Sequence, residues 1–390
     1  MTEMLATAEG APPTAEPEQR VTALELFFDL VFVFAITQVT GFIAAHPDWT
    51  RLLEGMAILV VIWWAWASFA WLGNTAGTDE GLFRVTLFAA AGAMLIVAIA
   101  MPGAFDDDAL AFGIAYAIVR VLHIGAYAIL GRDDPELAVV VRRLARSMLP
   151  AALLLLLAGM VDGPVRTACW ILAIVIEVGG LFLFGVDGWK VEAGHMAERH
   201  GLIVIIALGE SIVALGAGAE GHALNAGTIV AVLLGITVAF AMWWAYFDVV
   251  ALVAARRFQR AVGAERARMA RDSYTCLHAP MIAGIILFAL GAKKTLAHVG
   301  DALEMVPAVG LCGGIAMYLL AHVAFRLRNV HTLNTARLTV AIILLALIPP
   351  ATTIPALAAM AIVAALMVGL LSYEFIRFHE ARERLRHSLG

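Results

Sequence analysis

The chain has 390 residues, 62% of them hydrophobic and 15% charged, with a net charge of −5 and a mean hydropathy of +0.89. A soluble domain is roughly 45–50% apolar and about 25% charged, and a chain of this length has too little interior to hide so much apolar surface from water. Soluble, disordered, disulfide-rich secreted and nucleic-acid-binding classes are excluded. What remains is an all-α polytopic membrane bundle.

Residues 1–20 are polar, acidic and rich in Ala and Pro; without a basic start or an apolar centre they read as a disordered tail rather than a signal peptide. Apolar runs between charge, Gly and Pro breaks then give twelve candidate spans near 24–44, 52–73, 83–101, 109–130, 147–161, 165–186, 199–218, 226–250, 274–292, 303–325, 336–349 and 353–376. The fifth and eleventh are short, and each is followed by a Pro-containing turn (Pro164, Pro355). The tails and every second loop hold 21 of the 26 Lys and Arg; the opposite loops hold Arg51, Arg166, Lys293 and Lys294, and Arg120 falls inside a span. By the positive-inside rule both termini face the cytoplasm. Cys169, Cys276 and Cys312 share no CxxC spacing and read as small buried hydrophobes.

The halves look alike. Glu25 and Glu198 each open a half; Trp63-Trp64-Ala65-Trp66 has a counterpart in Trp243-Trp244-Ala245-Tyr246, Ala91-Gly92 in Ala283-Gly284, and Gly113-Ile114-Ala115 in Gly314-Ile315-Ala316. The pattern divides the chain into a six-helix repeat at 21–190, a second at 195–380 and a C-terminal tail at 381–390. Six is even, so the repeats share one orientation, and short segments at matching places point to a transport site or to thin peripheral hairpins.

Charged groups at bilayer depth cost at least about 2.5–3.5 kcal/mol, and are paired, face a cavity, or work. A middle layer holds Arg120, Glu177 and Glu210, with Gln38 at matching depth in the first half. Arg120 cannot lose its charge and needs an acceptor, expected to be Glu210 or Glu177. An inner layer holds Glu25, Asp29, Arg84, His123, Glu198, Arg199, Asp248, His278 and His322. Thr22-Ala23-Leu24-Glu25 is a capping box, which accounts for Glu25. Asp29 lies one turn deeper on the same face, and no local motif accounts for it. Lone histidines are usually hydrogen-bonded core residues, but several converging with carboxylates would suit a proton relay or a divalent cation. The tryptophans fit core packing or interface anchoring. The glycines from Gly209 to Gly218 lack a following Lys, so close helix contact explains them better than a phosphate loop. No nucleophile–base pair, HExxH or cofactor fingerprint is present, so no cofactor and no dedicated metal site is expected.

Glu25-Leu26-Phe27-Phe28-Asp29-Leu30-Val31-Phe32-Val33-Phe34-Ala35 resembles the opening signature of the bacterial low temperature requirement protein A (LtrA) family. The resemblance continues through Trp63-Trp64-Ala65-Trp66, Arg120 with His123, Glu198-Arg199-His200-Gly201-Leu202-Ile203, Ala207-Leu208-Gly209-Glu210-Ser211-Ile212, Trp243 to Asp248 and His278-Ala279-Pro280. His200 stands where the family usually has an aromatic residue. The resemblance implies a bacterial inner-membrane protein loosely tied to growth in the cold, and no biochemical activity. Phe27-x-Asp29 with Phe32 and Ala35-Ile36-Thr37 is also similar to the first-helix Phe-Ser-Asp motif of a potassium/proton channel family built from six-span units; the second half lacks it.

Three functions fit these residues. The first is a secondary transporter or ion-conducting protein whose pathway runs through Glu25, Asp29, Gln38, Arg120, His123, Glu177, Glu198, Arg199, Glu210, Ser211, Asp248 and His278. The second is a non-transporting sensor or scaffold locked by ion pairs, and the third a metal-dependent intramembrane enzyme. Expected partners are the lipid bilayer, a small ion or solute and a second copy of the chain, with no nucleic acid.

Overall fold

The computed structural model describes residues 21–75, 81–183, 185, 188–221 and 223–377; the expectations for the tails at 1–20 and 381–390, and for residues 378–380, lie outside them. The described residues are mostly helical, and the β pairing among them is one isolated bridge, Ala302 to Pro355. We number the helices α1 (Ala23–Ala45), α2 (Trp49–Thr75), α3 (Gly81–Ala100), α4 (Ala109–Leu130), α5 (Pro135–Ala158), α6 (Gly163–Leu183), α7 (Ala193–Ala219), α8 (Ala226–Phe247), α9 (Val250–Arg260), α10 (Gly263–Ala297), α11 (Met305–Val330), α12 (Thr335–Ala351) and α13 (Ala356–Arg377). Each expected span corresponds to one of these, and the amphipathic α9 is additional. Ten segments are long and apolar enough to cross a bilayer. The remaining two expected spans are α5, whose first half carries Arg142, Arg143 and Arg146, and the 17-residue α12.

The helix starts follow local chemistry. Thr22 and Glu25 form the expected capping box, each side chain bonded to the other's backbone N–H. Asp134 caps α5 by accepting from the N–H of Glu136 and Leu137, with Pro135 at the first helical position. Asn225 and Asn334 cap α8 and α12 in the same way. The Asp134–Pro135 start overturns the short fifth span: α5 has 24 residues, and its arginines lie within the helix. It also overturns the seventh boundary. α7 begins at Ala193, capped by Glu192, so His195 and Met196 are helical and Glu210 lies past the helix midpoint rather than at it.

Burial runs opposite to that of a soluble protein. Leu153, Leu183, Leu224, Leu233 and Ile376 are exposed while Arg120, Arg199, His195 and His278 are almost wholly buried. Apolar surface outside and paired polar groups inside is what a lipid solvent selects. α2, α10 and α11 are the most buried spans, with 83%, 72% and 72% of their most apolar stretches buried, against 28% for α6. α1 packs on α2, α3, α7 and α10, and α7 packs on α8 and α10.

Neighbours recur between the halves. α1 contacts α2 and α3, α3 contacts α4, α4 contacts α5, α5 contacts α6, and α2 contacts α6; in the same order α7 contacts α8 and α10, α10 contacts α11, α11 contacts α12, α12 contacts α13, and α8 contacts α13. Detail differs. Gly284 of α10 faces Gly314 of α11, where an added Cβ would lie 2.5 Å from the Gly314 carbonyl oxygen. Their first-half counterparts do not meet: Gly92 faces open space and Gly113 faces the α5 backbone at Leu155. The tryptophans differ too, for Trp63 and Trp66 are buried and Trp243 is 39% exposed.

The tight α10–α11 crossing gives a test. Gly284→Leu should destabilise the protein by about 1–3 kcal/mol through overpacking, read as a lowered unfolding midpoint in detergent, whereas Gly92→Leu should leave it unchanged.

Candidate functional site

Asp29 and Arg199 each lie six residues into their helix, about 9 Å from its start at 1.5 Å per residue. Both starts are on the face carrying the basic loops, so the side chains meet at one depth across the α1–α7 seam. Arg199 Nη2 donates to Asp29 Oδ1 at 2.8 Å, and its Nη1 lies 3.4 Å from Glu25 Oε1. Trp66 Nε1 donates to the same Asp29 oxygen at 2.9 Å, and its ring lies 5.7 Å from the guanidinium carbon. His195, one turn before Arg199, places Nε2 3.0 Å from Glu25 Oε1. Asn74 fixes that ring: its amide oxygen accepts from the Glu192 N–H and its nitrogen donates to the Glu192 carbonyl, which points the nitrogen at His195 Nδ1, 3.3 Å away. With Nδ1 accepting, Nε2 is the protonated nitrogen and donates to Glu25.

Two carboxylates, Glu25 and Asp29, here face one guanidinium, Arg199, with the His195 ring beside Glu25. Asp29 Oδ2 and Arg199 Nε are buried and make no hydrogen bond in the described structure, and all four ionisable residues are at most 1% exposed.

Deeper along the same seam, Thr37 of α1 donates to Glu210 Oε2. Glu210 and its neighbour Ser211 are buried and Gln38 is half-buried. Glu210 lies eleven residues beyond Arg199, about 16 Å along the helix. Its partner is therefore a neutral hydroxyl, not the expected Arg120.

Arg120 is paired elsewhere. It forms an ion pair with Glu177 of α6, its Nε donates to Tyr116 Oη at 2.8 Å, and its Nη1 donates to Ser68 Oγ at 2.8 Å. Tyr116 donates in turn to Glu177 Oε2 at 2.8 Å. His123 Nε2 bonds the Ser68 carbonyl at 3.0 Å. This cluster is sealed among α2, α4 and α6, inside the first half.

The remaining expected residues separate into three places. His278 accepts from Tyr246 Oη at Nε2 (2.8 Å) and donates from Nδ1 to the Ser273 carbonyl, within a box of His200, Tyr274 and Phe325 rings. His322 and Asp248 line a cavity between α8, α9, α11 and α13. Arg84 and Glu198 are exposed, so neither joins the inner cluster; Glu198 instead accepts from the Val21 N–H. The inner layer thus comprises one carboxylate–guanidinium–histidine site, Glu25, Asp29, His195 and Arg199, with His123, His278 and His322 held apart from it. Among the described residues no group of three or more His, Cys, Asp or Glu is placed to hold a metal. His200 fills the expected aromatic position as a ring, edge-on to Trp66 at 5.0 Å.

Several partners escaped the sequence reading. His195 was outside it because the seventh span was started at 199; its i, i+4 spacing to Arg199 was the available signal. Tyr116 has the same relation to Arg120. Arg337 binds Glu374 in fork fashion, Nε to Oε1 at 2.9 Å and Nη2 to Oε2 at 2.8 Å, a pair between α12 and α13 that no local pattern announces. In α10 the π-helical turn Ala270–Cys276 leaves the Thr275 carbonyl to accept from Trp63 Nε1 and its hydroxyl from Trp71 Nε1.

Comparison with known proteins gives one family and one curated relative. The family described as Bacterial low temperature requirement A protein (LtrA) matches residues 20–372. An uncharacterized protein of Rhizobium meliloti (strain 1021) is 29% identical over 284 residues, covering 70% of this chain and 69% of its own. No solved structure matches.

The Arg120 cluster predicts a specific defect. Glu177→Ala leaves a buried guanidinium short of its counter-charge and should cost about 3–5 kcal/mol, measured as loss of folded, monodisperse protein. The double variant Arg120→Met/Glu177→Met, which removes both charges, should recover most of it.

Proposed function

We propose that this chain, which belongs to the bacterial low temperature requirement A (LtrA) family, is a proton-coupled secondary transporter or ion-conducting protein that works along the seam between α1 and α7. The carrying observation is the make-up of the inner cluster: two carboxylates, Glu25 and Asp29, share one guanidinium, Arg199, with His195 beside Glu25 and Asn74 beside His195. A buried site of this make-up binds and releases a proton at low cost compared with ionising an unpaired group. Glu210 of α7 supplies a further carboxylate along the seam, where it accepts from the Thr37 hydroxyl of α1. Arg199 is the working arginine in this reading, and Arg120 with Glu177 holds the first half together.

The bundle sits in the bacterial inner membrane with both termini in the cytoplasm, as the placement of Lys and Arg supports. The recurrent helix neighbours support two six-helix repeats of the same orientation, which place the seam between the first helices of the two halves. A small ion or solute moves with the proton, and two copies of the chain associate.

A second reading has a specific observation in its favour. Arg120–Glu177 and Arg337–Glu374 are ion pairs with further hydrogen bonds around them, as a non-transporting sensor or scaffold would use to lock its helices.

Flux separates the two. Protein in liposomes with an imposed pH gradient should dissipate it, and Asp29→Asn and Glu210→Gln should each reduce that flux at least about tenfold, the effect of about 1.4 kcal/mol on the barrier. Wild-type liposomes as tight as empty ones, to protons, potassium and small solutes alike, would leave the scaffold reading standing.

A further inference from the structure

A cavity of about 270 Å³ opens between α8, α9, α11, α12 and α13; Trp244, Val249, Val250, Val253 and Phe325 form its apolar wall, and Asp248 and the paired Arg337 and Glu374 also line it. It adjoins an open pocket of about 450 Å³ bordered by Arg256, Arg257, Arg260 and His331. Val253, Asn329 and Val330 line both spaces, so they form one site with an apolar end and a basic mouth. The chain builds this shape from a distinctive element. α9, Val-Ala-Leu-Val-Ala-Ala-Arg-Arg-Phe-Gln-Arg, is strongly amphipathic: it buries Ala254 and Phe258 inward and puts its three arginines within five residues. Arg257 and Arg260 also stand in its last turn, where the helix dipole favours cations. The dipole explains their place on the helix, but not the cavity that they border. At the apolar end His322, 1% exposed, leaves Nε2 without a hydrogen-bond partner among the described residues.

From this arrangement we infer that the site binds an anionic phospholipid of the leaflet on the basic face, its phosphate on the Arg256/Arg257/Arg260 mouth and an acyl chain in the Trp244–Phe325 cavity. Charge complementarity selects the ligand. Arginines present forked donors that match phosphate oxygens, basic pockets between membrane helices hold anionic headgroups, and an interfacial helix with a basic polar face lies at headgroup depth. The greasy cavity beside the mouth distinguishes a lipid from a free anion, which would gain nothing from Trp244 or Phe325. Since α8 packs on both α7 and α13, an occupant of this site touches a helix adjoining the α1–α7 seam, yet its binding does not depend on that seam's function.

The test is lipid titration of the purified full chain in neutral detergent, read by native mass spectrometry. Phosphatidylglycerol should bind at least about tenfold more tightly than phosphatidylcholine of the same acyl chains, a difference of about 1.4 kcal/mol, and should weaken with salt. The double variant Arg257→Glu/Arg260→Glu, both positions being exposed, should bring phosphatidylglycerol down to the phosphatidylcholine level, and Val253→Trp should weaken both lipids by filling the cavity. Equal binding of the two lipids, or an unaltered preference in the arginine variant, overturns the inference. So does full competition by inorganic phosphate, which would make this a free-anion site. Lipid binding that emerges only when residues 378–390 are deleted would overturn it as well, by identifying the chain's own end as the occupant.

Discussion

The structure depends on ionised side chains that hydrocarbon cannot solvate and that therefore have to find each other. A guanidinium or carboxylate facing lipid has no partner for its hydrogen bonds, and the penalty exceeds what any single helix contact returns. Among the described residues three such assemblies each tie two helices together: Glu25 and Asp29 of α1 to His195 and Arg199 of α7, Arg120 of α4 to Glu177 of α6, and Arg337 of α12 to Glu374 of α13. They fix which helix faces which, and the apolar exterior follows because every remaining surface can be left to lipid.

The three assemblies differ in how their charged groups are matched. Arg337 and Glu374 match in charge and geometry, with Asn334 and the Ala245 carbonyl taking up further bonds. Arg120 and Glu177 match in charge, with Tyr116 and Ser68 completing the shell. The α1–α7 cluster differs in composition: its two carboxylates, Glu25 and Asp29, outnumber its one guanidinium, Arg199. Such a site on the helix pair joining the two halves would also be placed to sense their relative movement.

Much of this was legible in the sequence, for definite reasons. The number of long helices follows from hydropathy, because the bilayer fixes the length of an apolar run. The burial of Asp29, Arg120, Glu177, Arg199 and Glu210 follows from solvation alone. Pairing is different. Arg120 had two acceptors at similar depth, and only the packing of α4 against α5, and α5 against α6, brings Glu177 rather than Glu210 to it. His195 was hidden by a boundary: hydropathy starts a helix where charge ends, whereas Glu192 caps α7 six residues earlier. Arg84 and Glu198 show the converse error, for depth along a helix says nothing of which side faces out. Arg337 and Glu374 sit at helix ends, where charge is expected and therefore uninformative.

The account turns on whether the α1–α7 cluster exchanges a proton, and infrared difference spectroscopy of the protein in lipid films addresses that directly. Between acidic and alkaline buffer, the wild type should show a protonated-carboxyl band that grows and fades reversibly with pH and is lost in Asp29→Asn, with Arg120→Met/Glu177→Met leaving it in place. A spectrum with no titrating buried carboxyl, or a band indifferent to Asp29, would contradict the account and return the seam to the role of a static clasp.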